Sequence, residues 1–308
     1  MRQRVFVLLA AAVLLASCGT EPETETKAQM EGVQSPVAVE TETTAQTPKE
    51  PEPAEPEPEA PQEWDLLLVD EAGVRITAKG FDEGGYFGPE LKLLIENNTG
   101  ENITVQAQDV SVNGFMTEVM LSAEVANGKK ANDGMALSLS DMAACGTEIL
   151  ADMEFSFHIF TTEDWETYLD TAPIQLTTGA AEDYIYKTDM PGKELYASDN
   201  FRAVLLGVSQ DGSIFGPSID LYLENNSDRP ITVQARDVSV NGFMSEVFFS
   251  CEIMPGKKAI DQFTFVGSSL EENGITVIEE TEFSFHIFDS DSWDTIIDTE
   301  PIHIDFNF

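Results

Sequence analysis

Three sets of residues in this sequence have types and spacings that could do chemistry, and each recurs 128 residues later. The first is a carboxylate pair. Asp109 and Glu118 flank the run VSVNGFMT, and Asp237 and Glu246 flank VSVNGFMS. If Asn113-Gly114 forms a two-residue type I′ turn, Val112 pairs with Phe115 and Val110 with Thr117. That register sets Asp109 opposite Glu118 and, in the second copy, Asp237 opposite Glu246. Facing carboxylates repel unless a cation or strong donors lie between them, and calcium is the hard cation such oxygens would take. A calcium site needs six to eight oxygens, however, and no dense Asp/Asn loop supplies them. The alternation Ile103, Val105, Ala107 also breaks at Asp109 and resumes at Val110, which is the signature of a β-bulge. The favoured expectation is therefore no cofactor, with Asp109 bonded to the amides of a bulge.

The second set is His158 and His286, each within the repeated EFSFHIF, out of phase with the buried Phe positions and so on the other face of a strand. Only His303 exists besides, so no histidine-rich metal cluster is expected. The third set is Trp165 and Trp293, in the acidic segments TTEDWETYLD and DSDSWDTIID. Tryptophan beside carboxylates can form a stacking platform for a sugar ring, or it can cap the open end of a β-sandwich. Trp165, Trp293, His158 and His286 are thus the candidate ligand surface, although the favoured expectation is a satisfied, partly buried strand histidine and a capping tryptophan in each copy. No Ser-His-Asp or Cys-His arrangement, glycine-rich phosphate loop or CxxC pair recurs in both copies, so an enzyme is not expected.

The elements that must position these residues come as a tandem duplication. VQAQDVSVNGFM (105–116) returns as VQARDVSVNGFM (233–244), with eleven of twelve positions identical. FGP, ENN, GKKA and EFSFHIF recur at the same offset. Within each copy, short alternating segments separated by Gly, Asn and Pro turns predict six or seven strands. The expected fold is all-β: two tandem antiparallel immunoglobulin-like β-sandwich domains, residues 63–178 and 194–308, joined by an interdomain linker at 179–193. A short helical turn is expected within 138–150, capped by Ser138 or Ser140. Cys251 is in phase with Val247, Phe249 and Ile253 and reads as a small core residue, and Cys145 and Cys251 are expected to be free thiols.

The N-terminal residues point to a compartment. Residues 1–18 have a basic start at Arg2 and Arg4, an apolar run from Val5 to Leu15, and the ending Leu15-Ala16-Ser17-Cys18, which resembles the bacterial lipobox. The resemblance implies cleavage before Cys18 and its modification with membrane lipid, holding the chain at the extracytoplasmic face of the cell membrane. Residues 19–62 hold eleven Glu and eight Pro, and are expected to be a disordered acidic linker that keeps the domains off the surface. The formal charge of −40 excludes nucleic acid as a partner, because phosphate binding needs a basic face.

The stretch FGPELKLLIENNTGENITVQAQDVSVNGFM, the Gly-Lys-Lys turn and the late FSFHIF strand together resemble an immunoglobulin-like domain of unknown function from lipoproteins and membrane-tethered proteins of Gram-positive bacteria. That resemblance implies an extracellular β-sandwich and brings no catalytic residues with it. The sequence thus points to a lipid-anchored binding or interaction protein whose partner is an envelope protein, peptide or glycan. The alternative is a structural spacer that stabilises the envelope without a specific ligand. A calcium-dependent module or a hydrolase has the least support.

Overall fold

A computed structural model of the chain describes residues 64–306, apart from 188, 189 and 214. Residues 1–18, with Cys18, and residues 19–62, expected to be a signal segment and an acidic linker, lie outside the described residues. The first repeat comprises β1 (Leu66–Glu71), β2 (Val74–Asp82), β3 (Glu90–Asn97), β4 (Ile103–Val112), β5 (Phe115–Met116), β6 (Val119–Met120), β7 (Ser122–Val125), β8 (Lys130–Leu137), the helix α1 (Leu139–Cys145), β9 (Asp152–Thr161), β10 (Thr167–Asp170) and β11 (Ile174–Thr177). The second runs through β12 (Lys193–Ala197), β13 (Phe201–Ser213), β14 (Gly216–Asn225), β15 (Ile231–Val240), β16 (Phe243–Met244), β17 (Val247–Phe248), β18 (Ser250–Ile253), β19 (Lys258–Phe265), the helix α2 (Gly267–Glu272), β20 (Glu280–Asp289), β21 (Thr295–Asp298) and β22 (Ile302–Asp305).

Each repeat packs two antiparallel layers. In the first, β1-β2-β3-β8-β6 faces a layer in which β9 and β4 are central, with β10 and β11 on β9 and β5 and β7 on β4. The second repeat has the same arrangement, β12-β13-β14-β19-β17 against a layer centred on β20 and β15. The fold is the expected all-β sandwich, but with more and shorter strands than alternation alone suggests. One strand is expected across Val119–Val125, yet the chain changes layer there. Residues 119–120 pair with β8, residues 122–125 pair with β4, and Leu121 is buried at the crossing.

The cores follow from period-two burial. Val105, Phe155, Phe157 and Ile159 fill one core, and Val233, Phe283, Phe285 and Ile287 fill the other, all within 1% of complete burial. Each such side chain contributes roughly 1.5–3 kcal/mol on leaving water. The repeated ENN is explained by one buried amide. Asn97, with no exposure, donates to the carbonyls of Glu101 and Val125 at 2.7 Å each and accepts from the Thr99 amide at 3.0 Å. Asn225 does the same with Arg229, Ile253 and Ser227.

The helical turn predicted in 138–150 is α1, with Ser138 capping the Asp141 amide at 3.3 Å. Its counterpart α2 begins after Val266 and has no side-chain cap. Cys145 and Cys251 are free and buried. Burial pushes the Cys145 thiol up to about 12, and it pushes that of Cys251 well above the ordinary value, so both stay protonated.

The two repeats also touch. The tip of the β4–β5 hairpin bridges to β19 in parallel at Phe115 and Lys258, and Phe115, Cys145, Val204 and Tyr222 form a small third cluster.

Candidate functional site

The twelve-residue stretch shared by both copies is a structural joint. Asp109 has φ +58, and the β4–β9 register slips between Gln108 and Ser111, so the expected bulge is present. Asn113 and Gly114 have φ +51 and +81, the expected type I′ pair. The Asn113 side chain, 3% exposed, then clasps the start of β9: it donates to Ile149 O at 2.7 Å and accepts from the Ala151 and Asp152 amides. Asn241 makes the same clasp on Val277, Glu279 and Glu280. The two residues have different bonding partners. Asp109 accepts from Ser156 Oγ at 3.1 Å, toward β9, whereas Glu118 sits beside Asp141, whose carboxylate accepts the Glu118 amide at 2.7 Å.

Glu118 belongs to a cleft of about 400 Å³ between the repeats, lined also by Asp109, Asp141, Cys251, Glu252 and Asp261. Burial, with Asp141 and Asp261 nearby, raises the Glu118 carboxyl above its ordinary range. Burial also raises Asp261, against the backbone amide of Gln262 and the Cys251 thiol, which donate to it. Sequence reasoning missed this grouping because its members come from both repeats and from a contact that no local pattern announces. Among the described residues, the group able to bring three metal-ligating atoms within 4.8 Å is Glu280, His303 and Asp305, all exposed and present in the second repeat alone. Asp109, Glu118, Asp237 and Glu246 form no such group.

The histidines and tryptophans meet on the outer face of the β9 layer. Pairing across four strands sets Ser122, Gln106, His158 and Asp170 in one row. Gln106 Nε2 donates to Ser122 Oγ at 3.3 Å, and His158 Nδ1 lies 2.6 Å from Asp170 Oδ1. The next row holds Glu124, Thr104, Phe160 and Thr167. Trp165 stacks on Phe160 at 5.2 Å and 16°, and Phe160 lies 5.4 Å from the His158 ring. The result is a stripe of Trp, Phe, His and Asp. The second repeat reproduces it: Ser250, Gln234, His286 and Asp298 form the polar row, and Trp293 stacks on Phe288 at 5.4 Å and 15°. There Arg236, replacing Gln108, adds a guanidinium 3.8 Å from Asp298.

Two features set the tryptophans apart from ordinary sandwich caps. They are 67% and 74% exposed, so only one ring face is used by the fold. They also occupy the left-handed backbone region, φ +58 and +66, in the β9–β10 and β20–β21 hairpin loops. That conformation favours Gly or Asn, and a bulky residue there costs on the order of 1 kcal/mol. The loops are held to it by hydrogen bonds: Trp165 N donates to Thr161 O at 2.9 Å and Trp293 N to Asp289 O at 2.8 Å. Asp289 further accepts from the Ser292 and Asp291 amides, and the Ser292 amide is the main cause of its lowered pKa. The row is not a nucleophile–base pair. Ser122 and His158 are two strands apart, about 10 Å, beyond proton-transfer reach. What the stripe can do is stack a flat apolar face on Trp while Asp and Gln hold adjacent polar groups; His286, only 6% exposed, is a buried strand histidine held by Asp298, as His158 is held by Asp170. Phe160 and Phe288 are the supporting rings; their two-residue spacing from His158 and His286, which puts them on the same strand face, was the available signal.

No protein-family model matches the chain, and no curated protein matches it in sequence. Among solved structures, the YadV chaperone aligns at 11% identity over 70% of this chain and 91% of its own, with a TM-score of 0.22. A protein of unknown function from Porphyromonas gingivalis W83 aligns at 11% identity over 76% of this chain and 94% of its own, with a TM-score of 0.18. At these scores neither likeness bears on the function of this chain.

Proposed function

We propose that this chain is a lipid-anchored, extracytoplasmic binding protein that presents two immunoglobulin-like domains, residues 63–178 and 194–308, to a glycan of the cell envelope. The observation that carries the reading is the Trp-Phe-His-Asp stripe, built twice on the same sheet face with an exposed Trp in a strained backbone. A pyranose ring offers what this stripe would recognise: an apolar C–H face for the indole and equatorial hydroxyls for the carboxylate and amide beside it. Support for the anchor is the lipobox-like Leu15-Ala16-Ser17-Cys18 after an apolar segment, and the Glu/Pro tract that follows would act as a spacer.

One experiment tests both halves. Cells making the Cys18→Ala chain should release it from the membrane fraction, and the released chain should co-sediment with purified cell-wall polysaccharide. Adding Trp165→Ala and Trp293→Ala should reduce the bound fraction at least tenfold, about 1.4 kcal/mol or more. Equal sedimentation with and without the tryptophans would leave the chain as a spacer, and retention of Cys18→Ala in the membrane would remove the anchor.

A further inference from the structure

The contact between the repeats uses residues that the chain carries a second time at its two remaining ends. On the giving side, Gly114 O accepts the Lys258 amide at 3.0 Å, and Phe115, 3% exposed, packs with Val204 and Tyr222. Met116 packs against the core of the second repeat. Glu154 pairs with Lys257 at 3.2 Å, and Lys258 Nζ stands 5.6 Å from the Phe115 ring centroid. The counterparts 128 residues on are Gly242, Phe243, Met244 and Glu282, and the counterparts of Lys257 and Lys258 are Lys129 and Lys130. Every one of these residue types is the same.

Their surroundings differ. Phe243 is 51% and Met244 67% exposed, on a hairpin that clasps β20 as β4–β5 clasps β9. Glu282, Lys129 and Lys130 are exposed too. The receiving edge has the same geometry as the occupied one. Asn97 N bonds to Lys129 O just as Asn225 N bonds to Lys257 O, so the Lys130 amide, one residue on, points away from β3 as the Lys258 amide points away from β14. Among the described residues, the second repeat thus presents an exposed plug, and the first an exposed socket.

We propose that a second copy of this chain fills them: the Gly242–Met244 tip of one copy docks on the Lys129–Lys130 edge of β8 in the next. The contact continues the one already made within each chain. It is heterologous, so it joins copies head to tail and does not close on a twofold axis. It is weaker than the internal one, because the socket positions Val204, Tyr222 and Ile260 correspond in register to Thr77, Leu94 and Asn132. A reversible row of copies is the outcome, and it holds whatever ligand the aromatic stripes take.

The test is a photo-crosslinker in place of Phe243 in the full chain at its membrane. Covalent dimers and a ladder of larger species should form, with the crosslinked peptide containing Lys129–Lys130 of another copy. The same probe at Phe115 should crosslink within one chain. Lys129→Glu should reduce the ladder at least fivefold, and Glu282→Lys added to it should restore the ladder. Both side chains are exposed, so neither change disturbs a core. Absence of dimers, capture of a different protein at 243, or failure of the charge swap to restore the ladder would overturn the proposal.

Discussion

At the scale of single residues, the repeated motifs divide into joints and one surface. Asn97, Asn113, Asn225 and Asn241 are all brackets whose amides close turns to neighbouring strands, and their repetition reflects geometry. The bulge and the Asn-Gly turn were legible because a phase break and a dipeptide signal are local. The bracket role of Asn97 was not, since its partner Val125 lies 28 residues away. Asn97→Ala leaves three backbone groups, one in a buried bond and two in part-buried ones, to find new partners, so the chain should lose about 1–3 kcal/mol of stability, read by denaturant unfolding. A change under 0.5 kcal/mol would mean that water serves these groups equally well. Trp165 and His158 could be read as candidates from sequence, but not that Phe160 would join them into one stripe. That required the pairing of β9 with β10.

At the scale of elements, the β4–β5 hairpin does two jobs, bracing β9 and reaching β19. The cleft beneath it gathers Glu118, Asp141 and Asp261, and its electrostatics set a pH dependence. Glu118 and Asp261 have folded-state pKa values raised above the ordinary carboxylate range, chiefly by burial. Their protonated forms favour folding, so this contribution grows as pH falls through the raised values, is complete below the ordinary range near 4, and is lost as pH rises. Asp289 has the opposite sign: its pKa is lowered, chiefly by the Ser292 amide, and its contribution is lost only below the ordinary range. Acidification from pH 7 toward 4 should therefore raise this part of the chain's stability, read as melting temperature, and Asp261→Asn should flatten that rise. A rise that is unchanged in Asp261→Asn would place its origin elsewhere. This cleft was invisible in sequence because alternation reports which face is buried, never which strand edge a distant hairpin reaches.

At the scale of the whole molecule, duplication made the fold readable, since each copy checks the strand assignment of the other. It gave the two layers and both cores, but not the layer change at Leu121, whose alternating neighbours look continuous until β6 and β7 find different partners. Duplication also produced two aromatic stripes, one per repeat, in a chain of formal charge −40, and these are the stripes proposed above to take a glycan. Two stripes on one chain allow a polymer to be held at two points, with a gain from effective concentration that a single site lacks. The most direct test is calorimetric titration of the chain with a soluble fragment of cell-wall glycan too short to bridge the repeats. The chain should bind two fragments, one after either Trp165→Ala or Trp293→Ala, and none after both. A stoichiometry that both substitutions leave unchanged would rule out glycan binding at the stripes.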